Sequence, residues 1–306
     1  MAKRKTPFHD RRCLDKRYGW ASLLVACVLL AGSMDRGGQR LAPGYTLDTR
    51  FASPAHDSRV KHLIFHYTYE DQPGSLRALT RDRVSAHYLI PGPGQHGPGG
   101  PLVLQLVEES RRAWHAGHSA WQGRRGLNDS SIGIEIVNLG PRPLDSATLI
   151  RQLAHNQQQD IHWDAYDDAQ IEALIALSQD IIARHEIDPH RVLGHADIAP
   201  TRKLDPGPAF PWRRLHEAGV GAWPDAASVA YYRARFEAEP PGLAELQQGL
   251  ADWGYDVAVT QRLDRQTRAV LRAFQMHYRP ADYRGLPDTE TAAILWALRE
   301  KYQSSH

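Results

Sequence analysis

A chain of 306 residues, 42% hydrophobic and 24% charged, has the length of two ordinary domains and the composition of a globular protein, which excludes a disordered or low-complexity chain. Its formal charge of +2, with no dense Lys/Arg face carrying interleaved aromatics, excludes nucleic acid as the partner. The two cysteines, Cys13 and Cys27, both precede Ser33, so the body of the chain has neither a disulfide nor a thiolate ligand, and any metal there needs His and carboxylate.

The N-terminus reads as a targeting segment, residues 1–40. Lys3, Arg4, Lys5, Arg11, Arg12, Lys16 and Arg17 precede an uncharged stretch, Tyr18 to Met34, with the apolar centre "WASLLVACVLLAG", which is the layout of a secretory signal. The stretch is also just long enough for a membrane anchor. "LVAC" at Leu24 to Cys27 resembles a lipobox, whereas "LLAGS" ends in Ser33 where a lipoprotein has Cys. The expectation is an exported protein, periplasmic or anchored facing the periplasm, that meets the membrane only through this segment.

Strands are expected next. "VKHLIFHYT" (Val60 to Thr68) is a short apolar run of β-formers, and "VSAHYLIP" (Val84 to Pro91) and "LVLQLVE" (Leu102 to Glu108) read as two more, joined by the loop-forming "PGPGQHGPGG". "SIGIEIVN" (Ser131 to Asn138) alternates Ile132, Ile134 and Ile136 on one face with Gly133, Glu135 and Val137 on the other. A helix is signalled from Asp167, an N-cap with Gln170 completing a capping box, followed by Ile171, Leu174, Ile175, Ile181 and Ile182 at helical spacing. Strands interspersed with helices predict an α/β domain over 45–223, a mixed central sheet flanked by helices.

After "AWPDAAS" the character changes. "LDRQTRAVLRAF" and "LPDTETAAILWAL" repeat an Asp-x-x-Thr start, with Asp264/Thr267 and Asp288/Thr291 opening helices whose apolar residues correspond. Ahead of them Leu243, Leu246, Leu250 and Trp253 share one helix face that Gly254 stops. The expectation is a small three-helix domain over 240–302.

The stretch "GHADIAPTRKLDPGPAFPW", Gly194 to Trp212, forms neither regular helix nor long strand, and its prolines fix φ along an ordered loop. His195 and Asp205 across it can face one ion; a catalytic zinc takes three protein ligands and keeps one open position. His66, at the C-terminal end of the first strand, is the leading third ligand. His87, His115, His118, His155 and His162 remain alternatives on spacing alone.

"FHYT", "WHAG", "SIGIEIVN" and "GHADIAPTRKLDPGPAFPW" occur in the order and approximate spacing of the AmpD/AmiD-type N-acetylmuramoyl-L-alanine amidases, and the chain resembles that zinc family over roughly Tyr45 to Trp212. The resemblance implies a peptidoglycan recognition protein-like fold and hydrolysis of the amide between N-acetylmuramic acid and L-Ala in peptidoglycan or muropeptides, for wall turnover and recycling. It implies that His66, His195 and Asp205 hold Zn²⁺, that Glu135 is the general base and that Lys203 stabilises the transition state. Tyr67, Thr68, Trp114 and His115 are expected to line the sugar-peptide groove. "LQQGLADWGY", "LDRQT", "AVLRAFQ" and "LPDTET" resemble the type 1 peptidoglycan-binding domain. The protein is expected to act as a monomer; the alternative reading is a non-catalytic muropeptide recognition protein of the same fold.

Overall fold

A computed structural model describes residues 39–42, 44–142, 149, 152–153 and 161–303. The chain divides into two compact units, 1–56 and 57–306. In the first, Gln39–Ala42 and Tyr45–Asp48 pair as an antiparallel hairpin. The export signal expected over 1–40 lies, up to residue 38, outside the described residues. Among the described residues no helix is long and apolar enough to cross a membrane.

The second unit is built on a five-stranded sheet. Its strands are β1 (His62–Tyr67), β2 (Tyr88–Ile90), β3 (Leu104–Gln105), β4 (Ser131–Ile136) and β5 (Val192–Gly194). They lie in the order β5-β1-β4-β2-β3, parallel except for the antiparallel edge pair β2 and β3. The strands expected over Val84–Pro91 and Leu102–Glu108 are thus much shorter than their apolar runs, and the Gly/Pro-rich loop between them folds on itself through His96–Gly97 and Gly100–Pro101.

The register decides what each face carries. His62 pairs with Ser131, Ile64 with Gly133 and His66 with Glu135, so the polar positions of β1 and β4 share one face. The opposite face presents Leu63, Phe65, Ile132, Ile134 and Ile136 to helix α2 (Asp168–His185) and to Phe210, Trp212 and Leu215. Burying Ile171, Leu174 and Ile181 of α2 there contributes about 1.5 to 3 kcal/mol each. The capping box at its start is formed: Asp167 accepts from Ala169 N at 3.0 Å, and Gln170 Oε1 accepts from Asp167 N at 3.2 Å. Helix α1 (Gln72–Arg81) precedes the sheet's second strand, and α3 (His195–Ile198) and α4 (Trp212–Glu217) follow its last one.

The C-terminal region is helical, with α5 (Ala226–Ala238), α6 (Leu243–Trp253), α7 (Arg265–Tyr278) and α8 (Thr289–Gln303). Three of these match the expected helices, and α5 is additional. Both Asp-x-x-Thr starts are caps: Asp264 Oδ1 accepts from Thr267 N and Asp288 Oδ1 from Thr291 N, each at 2.8 Å. A buried glutamine then bonds each threonine hydroxyl, Gln247 to Thr267 (2.7 Å) and Gln275 to Thr291 (3.0 Å), so the repeat extends to its supporting bonds.

This bundle is not suspended on a linker. Trp121, Leu193 and Ile198 from the sheet domain and Trp253, Phe274 and Leu295 from the bundle belong to one apolar cluster. Asp197 sits at the seam. Its carboxylate accepts from Gly194 N (2.7 Å), from Tyr255 Oη (2.6 Å) and from His277 Nδ1 (2.9 Å). At Gly254, which has φ +147°, a Cβ would lie 2.5 Å from the Trp121 ring, so the bundle approaches closer there than any side chain permits.

Candidate active site

The polar face of the sheet ends in a cluster of donors. His66 stands near the C-terminal end of β1, and β5 runs directly into α3, whose first residue is His195. The loop after α3 returns so that Ala196 N donates to Asp205 O at 2.8 Å. The result is a triangle: His66 Nδ1, His195 Nδ1 and Asp205 Oδ2 each lie 3.0 Å from the other two. All three residues are buried, and among the described residues they are the group able to hold a metal ion. Ligand atoms about 3.3 Å apart are what tetrahedral coordination at 2.0 to 2.1 Å demands, so the triangle fits a small divalent cation after a slight expansion.

The hydrogen bonds behind the triangle assign the protons. Ser131 Oγ donates to the Leu127 carbonyl at 2.7 Å, which leaves it to accept from His115 Nε2 at 3.2 Å. His115 Nδ1 is then unprotonated and accepts from His66 Nε2 at 3.0 Å. His66 Nδ1 is left with a lone pair pointing at His195 and Asp205. On the other side, His195 Nε2 lies 3.2 Å from the Ala116 carbonyl and 3.3 Å from Arg202 Nη2; with its proton donated to the carbonyl, its Nδ1 lone pair faces the triangle. Arg202 Nη2 holds the same carbonyl at 2.9 Å.

Electrostatics agree with a metal-binding protonation state. Burial, reinforced by the neighbouring His195, pulls His66 down to about 4, so its imidazole is neutral. Burial alone would raise Asp205, but His195 first and then His66, packed against its carboxylate, outweigh burial and hold it well below its usual range. Neutral imidazole and ionised carboxylate are the forms that bind metal.

Glu135 lies beside His66 in register, and its Oε2 is enclosed without a hydrogen-bond partner. Burial, with Asp205 adding to it and Lys203 opposing it, pushes Glu135 well above the ordinary carboxylate range. Lys203 is near enough to act on both Glu135 and His66, and it lines an open groove of about 840 Å³ together with Tyr67, Tyr69, Leu204 and Asp205.

The expected groove residues separate in the structure. Tyr67 lines the groove. Thr68 turns its hydroxyl to the Glu70 carbonyl at 3.0 Å. Trp114 is 53% exposed, with the Arg112 guanidinium 4.1 Å above its ring, and is not among the residues that line the groove. His115 is buried behind His66, its ring laid on Gly133, and so is removed from the groove altogether. Of the alternative ligands, His87 is a buried structural group that accepts from Gly133 N (3.0 Å) and donates to Arg111 O (3.2 Å). His118 and His162 are exposed, and His155 lies outside the described residues. Sequence reasoning missed Tyr69, Ser131 and the arginines of α7 that also border the groove; the one available signal was Gly133, a lone glycine between β-branched strand residues, which marks a close approach.

A parallel-cored sheet with a buried His-His-Asp triangle that could hold a metal ion, an adjoining glutamate and an open groove is the arrangement of a hydrolase. Residues 56–208 match the N-acetylmuramoyl-L-alanine amidase family and residues 239–295 the peptidoglycan binding domain family. The chain belongs to the N-acetylmuramoyl-L-alanine amidase family. It is 46% identical over 288 residues to N-acetylmuramoyl-L-alanine amidase AmiD of Escherichia coli, covering 94% of this chain and 99% of that protein. The solved complex of E. coli AmiD with the substrate anhydro-N-acetylmuramic acid-L-Ala-D-gamma-Glu-L-Lys superposes with a TM-score of 0.76, covering 87% of this chain and 98% of that one. AmpDh3 of Pseudomonas aeruginosa in complex with anhydromuramic pentapeptide is 43% identical, with a TM-score of 0.74 over 83% of this chain and 96% of that one.

Proposed function

We propose that this protein is a zinc-dependent hydrolase of the amide bond between N-acetylmuramic acid and L-alanine in peptidoglycan and its fragments, acting in cell-wall turnover and recycling. The observation that carries this reading is the buried triangle of two imidazoles and one carboxylate, with Glu135 beside it and Asp205 bordering the groove. His66, His195 and Asp205 hold the zinc, which when bound supplies Lewis acidity toward the scissile carbonyl and the attacking water.

The remaining chemistry belongs to side chains. Glu135 Oε2 has no other partner, so it is available to take the proton of the attacking water and pass it to the leaving nitrogen of L-alanine, and its raised pKa suits a group that must both accept and return a proton. Lys203 presents its ammonium to the groove and favours the developing oxyanion. Ser131 and His115 keep His66 in the Nδ1-ligating tautomer. Tyr67 borders the bound sugar-peptide.

The basic and then apolar N-terminus supports export to the periplasm, with the folded part working there as a monomer, free or tethered by that segment. Zinc-loaded protein should release free stem peptides from purified sacculi and from a soluble muropeptide, and a chelator should stop both. Binding to either substrate without release of peptide would replace this reading with the non-catalytic recognition role.

A further inference from the structure

The groove beside Asp205 has two walls of different origin. One is the amidase segment around Tyr67, Tyr69 and Lys203; the other is α7 of the C-terminal bundle, which contributes Arg265, Arg268 and Arg272. Positions 265, 268 and 272 follow the i, i+3, i+7 pattern and share one helix face. At 1.5 Å per residue the row is about 10 Å long.

Among the described residues these cations lack the ion-pair partners that surface arginines usually find, in contrast to Arg279 of the same region, which meets Asp288 at 2.7 Å and Glu290 at 2.8 Å. Arg272 Nε is enclosed with no hydrogen-bond partner, and its Nη2 has only a long 3.4 Å bond to the Leu153 carbonyl. Burial and the like charge of Arg268 both lower the Arg272 pKa. Asp205, the acid bordering this groove, is already committed to His66 and His195. Uncompensated guanidinium groups along a groove cost stability unless an anion completes them.

We propose that Arg265, Arg268 and Arg272 form a carboxylate-reading subsite, so that the C-terminal bundle supplies a wall of the substrate groove and selects the stem peptide by its charge. The proposal rests on the amidase reading and names what that site takes. A stem peptide with γ-linked glutamate carries a free α-carboxylate within the chain and another at its end, and about three extended residues cover the 10 Å of the row. The planar guanidinium fork matches a carboxylate bidentately, which a lysine does not.

The test uses the zinc-loaded full chain with Glu135→Gln to block turnover. Calorimetric titration compares N-acetylmuramoyl-L-Ala-γ-D-Glu-L-Lys with the same compound amidated at both carboxylates. The diacid should bind roughly ten- to a hundredfold more tightly, and Arg265→Gln and Arg268→Gln should each shrink that ratio while leaving affinity for the diamide unchanged. Arg268→Lys should restore only part of it. Equal binding of diacid and diamide by the parent, or equal loss of both in the arginine variants, would overturn the subsite. Peptide release measured with intact Glu135 reports separately on the amidase reading: a charge preference without cleavage removes that reading and leaves the subsite, and cleavage without a charge preference does the reverse.

Discussion

Substituting Gly133 by alanine tests the buttress behind the metal site. A Cβ at 133 would stand 2.4 Å from His115 Cγ and 2.5 Å from its Nδ1, where carbon contacts need about 3.5 Å. The ring must therefore withdraw by about 1 Å. It cannot do so in place, because Nδ1 bonds His66 at 3.0 Å, Nε2 bonds Ser131 at 3.2 Å and the backbone N bonds Asn128 Oδ1 at 3.1 Å. Stretching the first of these by 1 Å abolishes it. Overpacking costs about 1 to 3 kcal/mol and the lost bond about 0.5 to 1.5 kcal/mol, so the metal-free fold should lose about 2 to 4 kcal/mol in denaturant unfolding. Zinc affinity, read by chelator competition, should fall roughly 10- to 100-fold, because His66 is freed to adopt the wrong tautomer. The cycle with His115→Ala separates the causes: with the ring gone, Gly133→Ala should cost almost nothing further. Additivity of the two substitutions within about 0.5 kcal/mol would refute the contact as the origin of either effect.

Replacing His66, His195 or Asp205 by alanine should remove zinc from the isolated protein and with it peptide release, as metal analysis would show. Glu135→Gln should keep a full complement of zinc while kcat falls by at least about 100-fold; loss of metal in that variant would make Glu135 a ligand instead. His62, 3% exposed, has its pKa lowered to about 4, chiefly by burial and further by Arg191, Arg124 and His190, against the hydrogen bond to Ser130. In the unfolded chain the same group protonates near 6.5, so between pH 6.5 and about 4 the unfolded state binds the extra proton; stability should decline as pH falls through that window and level off below it. The decline is on the order of 3 kcal/mol, and His62→Asn should flatten that part of the profile in thermal melts at fixed zinc.

The readable parts of this molecule are those where local pattern and final environment coincide. Alternation in "SIGIEI" placed Glu135 and Gly133 on one face because a strand's period of two survives into any sheet. The Asp167 capping box and the two Asp-x-x-Thr starts are local bonds, and all three are formed. His115 was not readable in the same way. A histidine in "AWHAG" can turn to a groove or behind a ligand, and only the packing of its ring on Gly133, across a sequence gap, decides between them. Helix α5 left no signal because Phe236 is its one buried residue, too little for an apolar stripe. Arg265, Arg268 and Arg272 could be seen as one helix face, but nothing local says that the face borders another domain's groove.

That last gap bears on what a peptidoglycan-binding module means here. A module that only tethers an enzyme needs a flexible connection and a separate core, since its benefit comes from effective concentration. Here the connection and the core are shared. Asp197 lies two residues after His195, and its carboxylate is held by Gly194 on one side and by Tyr255 and His277 on the other. The His277 ring also stacks on Trp212 at 3.6 Å, at the end of the loop that carries Asp205. The segments that deliver His195 and Asp205 are therefore braced by the bundle, and removing it takes away two of the three hydrogen-bond partners of Asp197 together with the apolar contacts of the shared cluster. The bundle is part of the catalytic unit first, whatever it also binds on the wall.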